Sequence, residues 1–160
     1  MSVIIICLII AVAVFAAAFI TKRRFGLLGL ALAAGSILSG IWAYDAGLEA
    51  SAFGAPSNPL TTAFVSCFII LLPAGILLFH GDKYKTIVGR IIGAILFTLL
   101  AVAFMIEPLS SAIAPQGFGS NVFIWLVNNS KTIIGAGLVV AIIDLFLTKS
   151  PHFPKKHHKH

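Results

Sequence analysis

Charged side chains are scarce in this sequence. Aspartate, glutamate, lysine and arginine make up 10% of the 160 residues, and the acidic residues number five. In soluble domains about a quarter of the residues are charged. Because 59% of the residues are hydrophobic, the chain has too few polar side chains to cover a water-facing surface. The composition excludes an ordinary soluble domain and predicts a single-domain, all-α integral membrane protein.

Cysteine is also rare, and its two positions, Cys7 and Cys67, lie inside apolar runs. They match no CxxC or other metal-ligand spacing, so we predict that both are reduced packing residues. A disulfide bond stays the alternative if the first and third membrane helices pack together.

Sequence motifs of catalysis and nucleotide binding are missing as well. The chain has no HExxH, no GxSxG and no phosphate-binding glycine loop. We therefore expect no catalytic site, no metal site and no cofactor, and we predict that the protein is not an enzyme. Membrane topology explains the excess of lysine and arginine over acidic residues, so we predict no nucleic-acid partner.

The chain contains five apolar runs, each long enough to cross a bilayer core as a helix. A cleaved signal peptide is the rival interpretation of the first run, but its cations follow the run, so we expect a retained helix. The segment 45–59 is predicted to be a loop. Between 109 and 130 the apolar stretch "NVFIWLV" is too short to cross, which predicts a short interfacial or re-entrant helix. The predicted spans are 3–20, 25–44, 60–79, 87–106 and 132–148.

Small residues recur every four positions in two of these spans. Ala31, Gly35 and Ser39 share one face of the second span, and Gly89 and Gly93 form a GxxxG pair in the fourth. Faces of this kind let another membrane helix approach closely. We therefore predict both as helix-packing faces.

The cations define an orientation. With five spans, ten of the eleven lysines and arginines share one side, which the positive-inside rule makes cytoplasmic. The amino terminus is then outside, and the tail 149–160 is a disordered, basic, histidine-rich cytoplasmic segment that anionic lipid headgroups attract. Metal binding by the tail histidines stays an alternative. The ten cations are Lys22, Arg23, Arg24, Lys83, Lys85, Arg90, Lys149, Lys155, Lys156 and Lys159, and the other side holds Lys131.

Asp144 lies inside the last apolar run, where a lone carboxylate is costly. Arg90 enters the membrane from the same face to a similar depth, which predicts an interhelical ion pair between them. Snorkelling toward Lys149 and a proton site are the alternatives.

For a small transporter or channel subunit, Asp144, Arg90 and His80 would line a polar vestibule beneath a helix kink at Pro73.

The sequence resembles the colicin V production protein (CvpA) family of small bacterial inner-membrane proteins. The resemblance covers about residues 1–130 and consists of "TKRRFGLLGLALAAG", "GDKYKTIVGRIIGAILF" and "SAIAPQGFGSNVFIWLVNN". The family commonly has four spans, so residues 132–148 add a fifth. The resemblance implies a multi-pass protein of the bacterial inner membrane that acts in export or envelope maintenance.

We therefore predict a non-catalytic inner-membrane protein. A small transporter or channel subunit, and a membrane anchor of a partner complex, are the alternatives. Besides the lipid bilayer, the expected partners are further copies of the chain or another membrane protein.

Overall fold

The computed structural model describes residues 3–56, 58–79, 84, 86–112 and 120–148, with side chains from residue 8 to residue 147. Every element in these ranges is a helix, so the predicted all-α class is confirmed. His80 and the tail 149–160 lie outside the described residues. The helices are α1 (Val3–Thr21), α2 (Phe25–Ala52), α3 (Pro59–Phe79), α4 (Ile87–Ala112) and α5 (Ser120–Thr148).

The helices have the length and apolar surface of membrane spans. Four of them, α2 to α5, are long and apolar enough to cross a bilayer, and the described part of α1 adds a shorter apolar helix, Leu8–Thr21. Large apolar side chains such as Phe68, Phe146 and Leu147 are exposed. This surface is suited to lipid, so the fold is compatible with a multi-pass membrane protein.

The second helix is longer than predicted. It continues past Tyr44 to Ala52, through a stretch that we expected to be a loop. The reason is local: "DAGLEASA" contains strong helix formers and no proline. The helix ends where Gly54 adopts a φ of +93°, a conformation that glycine reaches without steric cost.

The fourth helix also passes its predicted end. Glu107 and Pro108 lie within α4, which continues to Ala112. A proline removes one helical hydrogen bond but can be accommodated in membrane helices. Pro73 similarly lies within the unbroken helix α3, and the kink predicted at this residue stays a prediction.

The interfacial helix predicted before the last span is not a separate element. Residues 120–130 form the first turns of the 29-residue helix α5. The polar residues expected to interrupt it bond within it instead. The Asn129 amide donates to the Trp125 carbonyl oxygen at 2.8 Å, and the Ser130 hydroxyl donates to that of Val127 at 2.9 Å. These bonds pair the polar side chains within the helix, so they do not interrupt it.

The bundle is organised around α4, which packs against the other four helices, while α2 also packs against α3 and α5. α5 therefore lies at the edge of the bundle, against α2 and α4. The largest fully buried side chains come from the two central helices: Phe25, Leu28, Leu32, Phe97 and Leu100.

The small-residue face of α2 is buried. Ala31, Gly35 and Ser39 are all buried, and a Cβ atom on Gly35 would collide with the backbone of Ile70 in α3. α2 and α3 therefore approach most closely at a position that a larger residue could not occupy.

Cys67 is buried in α3, with its Sγ 3.9 Å from the carbonyl oxygen of Met105 in α4. The side chain of Cys7 lies outside the described residues. The reduced state of both cysteines therefore stays a prediction.

Candidate functional site

Four described side chains with long-range hydrogen bonds, together with Arg24 beside them, meet at one end of the bundle, around the α1–α2 turn. We call this cluster the polar junction. It comprises Arg23, Arg24, Tyr84, Arg90 and Asp144.

The turn itself depends on an unusual backbone conformation. Lys22 has a φ of 60°, in the left-handed region that side chains other than glycine seldom adopt. Its N–H donates to the Ala18 carbonyl oxygen at 3.2 Å, and its own carbonyl oxygen accepts from the Tyr84 N–H at 2.8 Å. The turn is thereby tied to the connection between α3 and α4.

Arg23 binds the end of α3. Its Nε donates to the Leu78 carbonyl oxygen at 2.9 Å, and its Nη2 donates to the Phe79 carbonyl oxygen at 2.6 Å. The last carbonyls of a helix have no partners within the helix and form its negative end. A guanidinium at this position donates hydrogen bonds to two of these carbonyls, and its positive charge is attracted to the negative end of α3.

Arg90 binds the end of α1 in the same manner. Its Nη2 donates to the Phe19 carbonyl oxygen at 3.0 Å. Its guanidinium carbon also lies 4.7 Å from the centroid of the Phe19 ring, within the range of a cation–π contact.

Asp144 binds the start of α2. Its Oδ2 accepts the N–H of Gly26 at 2.9 Å, one of the first amides of that helix. The N-cap residue, Arg24, makes no capping bond with its side chain. A carboxylate from α5 therefore caps α2 across the helix interface, where the positive end of the helix favours it.

Gly26 makes this contact feasible. A Cβ atom at this position would lie 2.6 Å from the carbonyl oxygen of Ala141 and 3.0 Å from the Asp144 carboxylate. Since real Cβ atoms do not approach so closely, glycine is needed for α5 to bring its carboxylate to the α2 amide.

Tyr84 links the same helices from a position between α3 and α4. Its hydroxyl accepts the Phe25 N–H at 3.1 Å. It also lies 3.3 Å and 3.4 Å from the two carboxylate oxygens of Asp144, to which it donates. Tyr84 and Asp144 together therefore satisfy the first two amides of α2.

The GxxxG pair of α4 contacts the Tyr84 ring. Cβ atoms on Gly89 and Gly93 would lie 3.0 Å and 2.6 Å from ring carbons of Tyr84. An aromatic ring therefore lies against both glycines, and the helix-packing face predicted here stays a prediction. The helical spacing of two glycines cannot show whether their neighbour is a helix or a side chain.

Burial raises the pKa of Tyr84 above its usual value of 10.0, because the phenolate would lose hydration, and the nearby Asp144 carboxylate raises it further. The Phe25 N–H and the charge of Arg24 act in the opposite direction. The neutral hydroxyl is therefore the form that the folded protein favours.

The described hydrogen bonds of Asp144 and Arg90 lead to different partners. Two partners of Asp144 are Gly26 and Tyr84, and the described partner of Arg90 is Phe19. The ion pair predicted between the two residues stays a prediction. Sequence patterns did not indicate a role for Tyr84 or Gly26, because their bonds to Asp144 join positions 60 and 118 residues apart.

Within the described ranges, no group of three or more His, Cys, Asp or Glu side chains could hold a metal ion. The chemistry that the polar junction does offer is hydrogen bonding and charge at helix ends. In comparison with known proteins, no family model, no curated protein and no solved structure matches the chain.

Proposed function

We propose that the chain is a non-catalytic protein of the bacterial inner membrane that works by assembling with other membrane proteins. The process is export or envelope maintenance, as the resemblance to the colicin V production family implies. One observation carries the proposal: Arg23, Arg90 and Asp144 bind backbone groups at the ends of α3, α1 and α2. Charges used in this way stabilise a scaffold.

The same contacts support five spans. They bring the ends of α1 and α3 and the start of α2 together with Asp144, near the end of α5. Helices that alternate in direction across a bilayer meet in this manner. Combined with the cation distribution, this supports an external amino terminus and a cytoplasmic tail.

α5 supports an assembly role. It packs against α2 and α4, yet Val139, Ile143 and Phe146 are exposed along its length. A helix held on one side of a bundle leaves a lateral apolar face on which a membrane partner can pack.

Native membranes provide the test. Chemical cross-linking before solubilisation, followed by purification of the tagged chain, is expected to retain a membrane protein at constant stoichiometry. The control is the same tag on an unrelated five-span protein. The transporter alternative would be supported instead if the chain alone conducted a solute or protons in liposomes and a folded Asp144→Asn variant did not. That outcome would overturn the proposal.

A further inference from the structure

Arg24 is a cation at the N-terminal end of a helix, and its side chain makes no hydrogen bond that the structure describes. It is the N-cap residue of α2, and its side chain makes no cap bond. Its Nε is buried without a hydrogen-bond partner among the described residues. A helix N-terminus carries partial positive charge, so a guanidinium there is repelled. Among the described residues, no hydrogen bond to the Arg24 side chain offsets this repulsion.

Arg90 is in a similar condition on the other side of the turn. Its Nη2 donates to Phe19, but its Nε is also buried without a hydrogen-bond partner in the described structure. A guanidinium has five N–H donors in a planar fork suited to phosphate. Arg90 lies against the last turn of α1, and Arg24 lies at the first turn of α2. The two cations therefore flank the α1–α2 turn.

The charge around this turn is predominantly positive. Lys22 and Arg23 belong to the turn itself, and Asp144 is the described carboxylate that faces it. The Phe25 and Gly26 amides already donate to Tyr84 and Asp144, so a further anion there would be held by the guanidinium groups. The turn also lies where helices end, which is the depth of lipid headgroups in a multi-pass protein.

We propose that the phosphate of an anionic phospholipid headgroup binds at the α1–α2 turn through Arg24 and Arg90. Basic pockets between membrane helices take such headgroups. This site is separate from the lipid attraction predicted for the tail. It requires that the chain spans a membrane, but it is independent of the assembly role proposed above.

The test uses the purified full chain in detergent. Thermal stability is measured with increasing phosphatidylglycerol, with phosphatidylcholine and with inorganic phosphate alone. We expect stabilisation by phosphatidylglycerol at concentrations where phosphatidylcholine has little effect. Arg24→Gln should weaken the apparent affinity about five-fold, the size of one cationic contact at a membrane surface, and Arg24→Lys should weaken it less.

The matched control is Lys131→Gln, which removes an exposed cation of α5 outside the polar junction. It should leave the affinity within about two-fold, the scale of a solvent-exposed charge. Equal weakening by Arg24→Gln and Lys131→Gln would overturn the site, as would equal stabilisation by both lipids. Stabilisation by inorganic phosphate without discrimination between the lipids would overturn the lipid assignment. Because Arg24 makes no described side-chain hydrogen bond, its variants are expected to fold.

Discussion

At the scale of single residues, Asp144 shows how a carboxylate is tolerated in an apolar helix. It sits among Ile143, Leu145 and Phe146 in sequence, yet in the fold its Oδ2 lies 2.9 Å from the first turn of α2. Desolvation of a charge is costly unless it is hydrogen-bonded. The Gly26 amide, the Tyr84 hydroxyl and the positive end of α2 together offset that cost.

Tyr84→Phe should destabilise the protein by about 1–2 kcal/mol, because it leaves the Phe25 N–H unpaired and removes a donor to Asp144. Thermal or denaturant unfolding in detergent measures the change. The matched control is Tyr44→Phe. The Tyr44 side chain is 72% exposed, so removing its hydroxyl should change the unfolding free energy by almost nothing. Equal effects of the two substitutions would show that the Tyr84 hydroxyl has no special role.

The raised pKa of Tyr84 predicts a pH dependence. Below about pH 10 the hydroxyl is protonated in both the folded and the unfolded chain. As the pH rises further, the unfolded chain loses this proton first, so folding stability falls. We expect a loss of melting temperature above pH 10 that Tyr84→Phe reduces and Tyr44→Phe leaves in place. Identical pH profiles for wild type and Tyr84→Phe would contradict this.

Double-mutant cycles distinguish the partners of Asp144. Because Tyr84 and Asp144 share hydrogen bonds, Asp144→Ala and Tyr84→Phe should be non-additive by about 0.5–3 kcal/mol. The cycle of Asp144→Ala with Arg90→Ala measures the predicted ion pair in the same way. Unfolding free energies of the wild type, the three single variants and the two double variants provide the data. Strict additivity in the Tyr84 cycle would refute the shared hydrogen bonds.

At the scale of elements, the close approach of α2 to the Ile70 backbone in α3 requires glycine at position 35. Gly35→Ala should cost about 1–3 kcal/mol, because its Cβ collides with the Ile70 backbone and the helices must separate. Gly40 is the control in the same helix: a Cβ there meets nothing within 4 Å. Gly40→Ala should be neutral or stabilising by up to about 1 kcal/mol.

Unfolding of the two alanine variants in the same detergent measures this difference. Equal losses of stability in Gly35→Ala and Gly40→Ala would contradict the proposed collision at Gly35, because a Cβ atom at Gly40 meets no neighbour.

Helix ends were the element-level feature that sequence patterns predicted least well. Apolar runs located the spans, but α2, α4 and α5 each extend beyond their runs. Hydropathy reports where a chain can meet lipid, whereas a helix ends where its backbone loses hydrogen-bond partners. The bonds of Asn129 and Ser130 within α5 show how polar residues can continue a helix.

At the scale of the whole molecule, the topology can be tested with reporter fusions after Gly54 and at the C-terminus. Gly54 follows the end of α2, so a fusion there keeps that helix intact. We expect the reporter on the outer side at Gly54 and on the cytoplasmic side at the C-terminus, because ten of the eleven lysines and arginines then share the cytoplasmic side. Both reporters on one side would exclude an odd number of spans after α2.

The sequence by itself determined the all-helical membrane class, the approximate place of each helix, and Asp144 and Arg90 as polar positions that need an explanation. These properties follow from composition and from the lengths of apolar runs, which act locally along the chain. The small-residue face containing Gly35 could also be recognised in the sequence, since helical spacing is a local property.

Tertiary structure alone decided what each of these residues contacts. Asp144 caps α2, Arg90 binds the end of α1, and the glycines of α4 accommodate Tyr84. Each contact joins residues far apart in sequence, and many cations and backbone groups near one membrane face could have satisfied the same carboxylate. Which of them does so depends on how the helices pack, and periodicity within one helix carries no information about that.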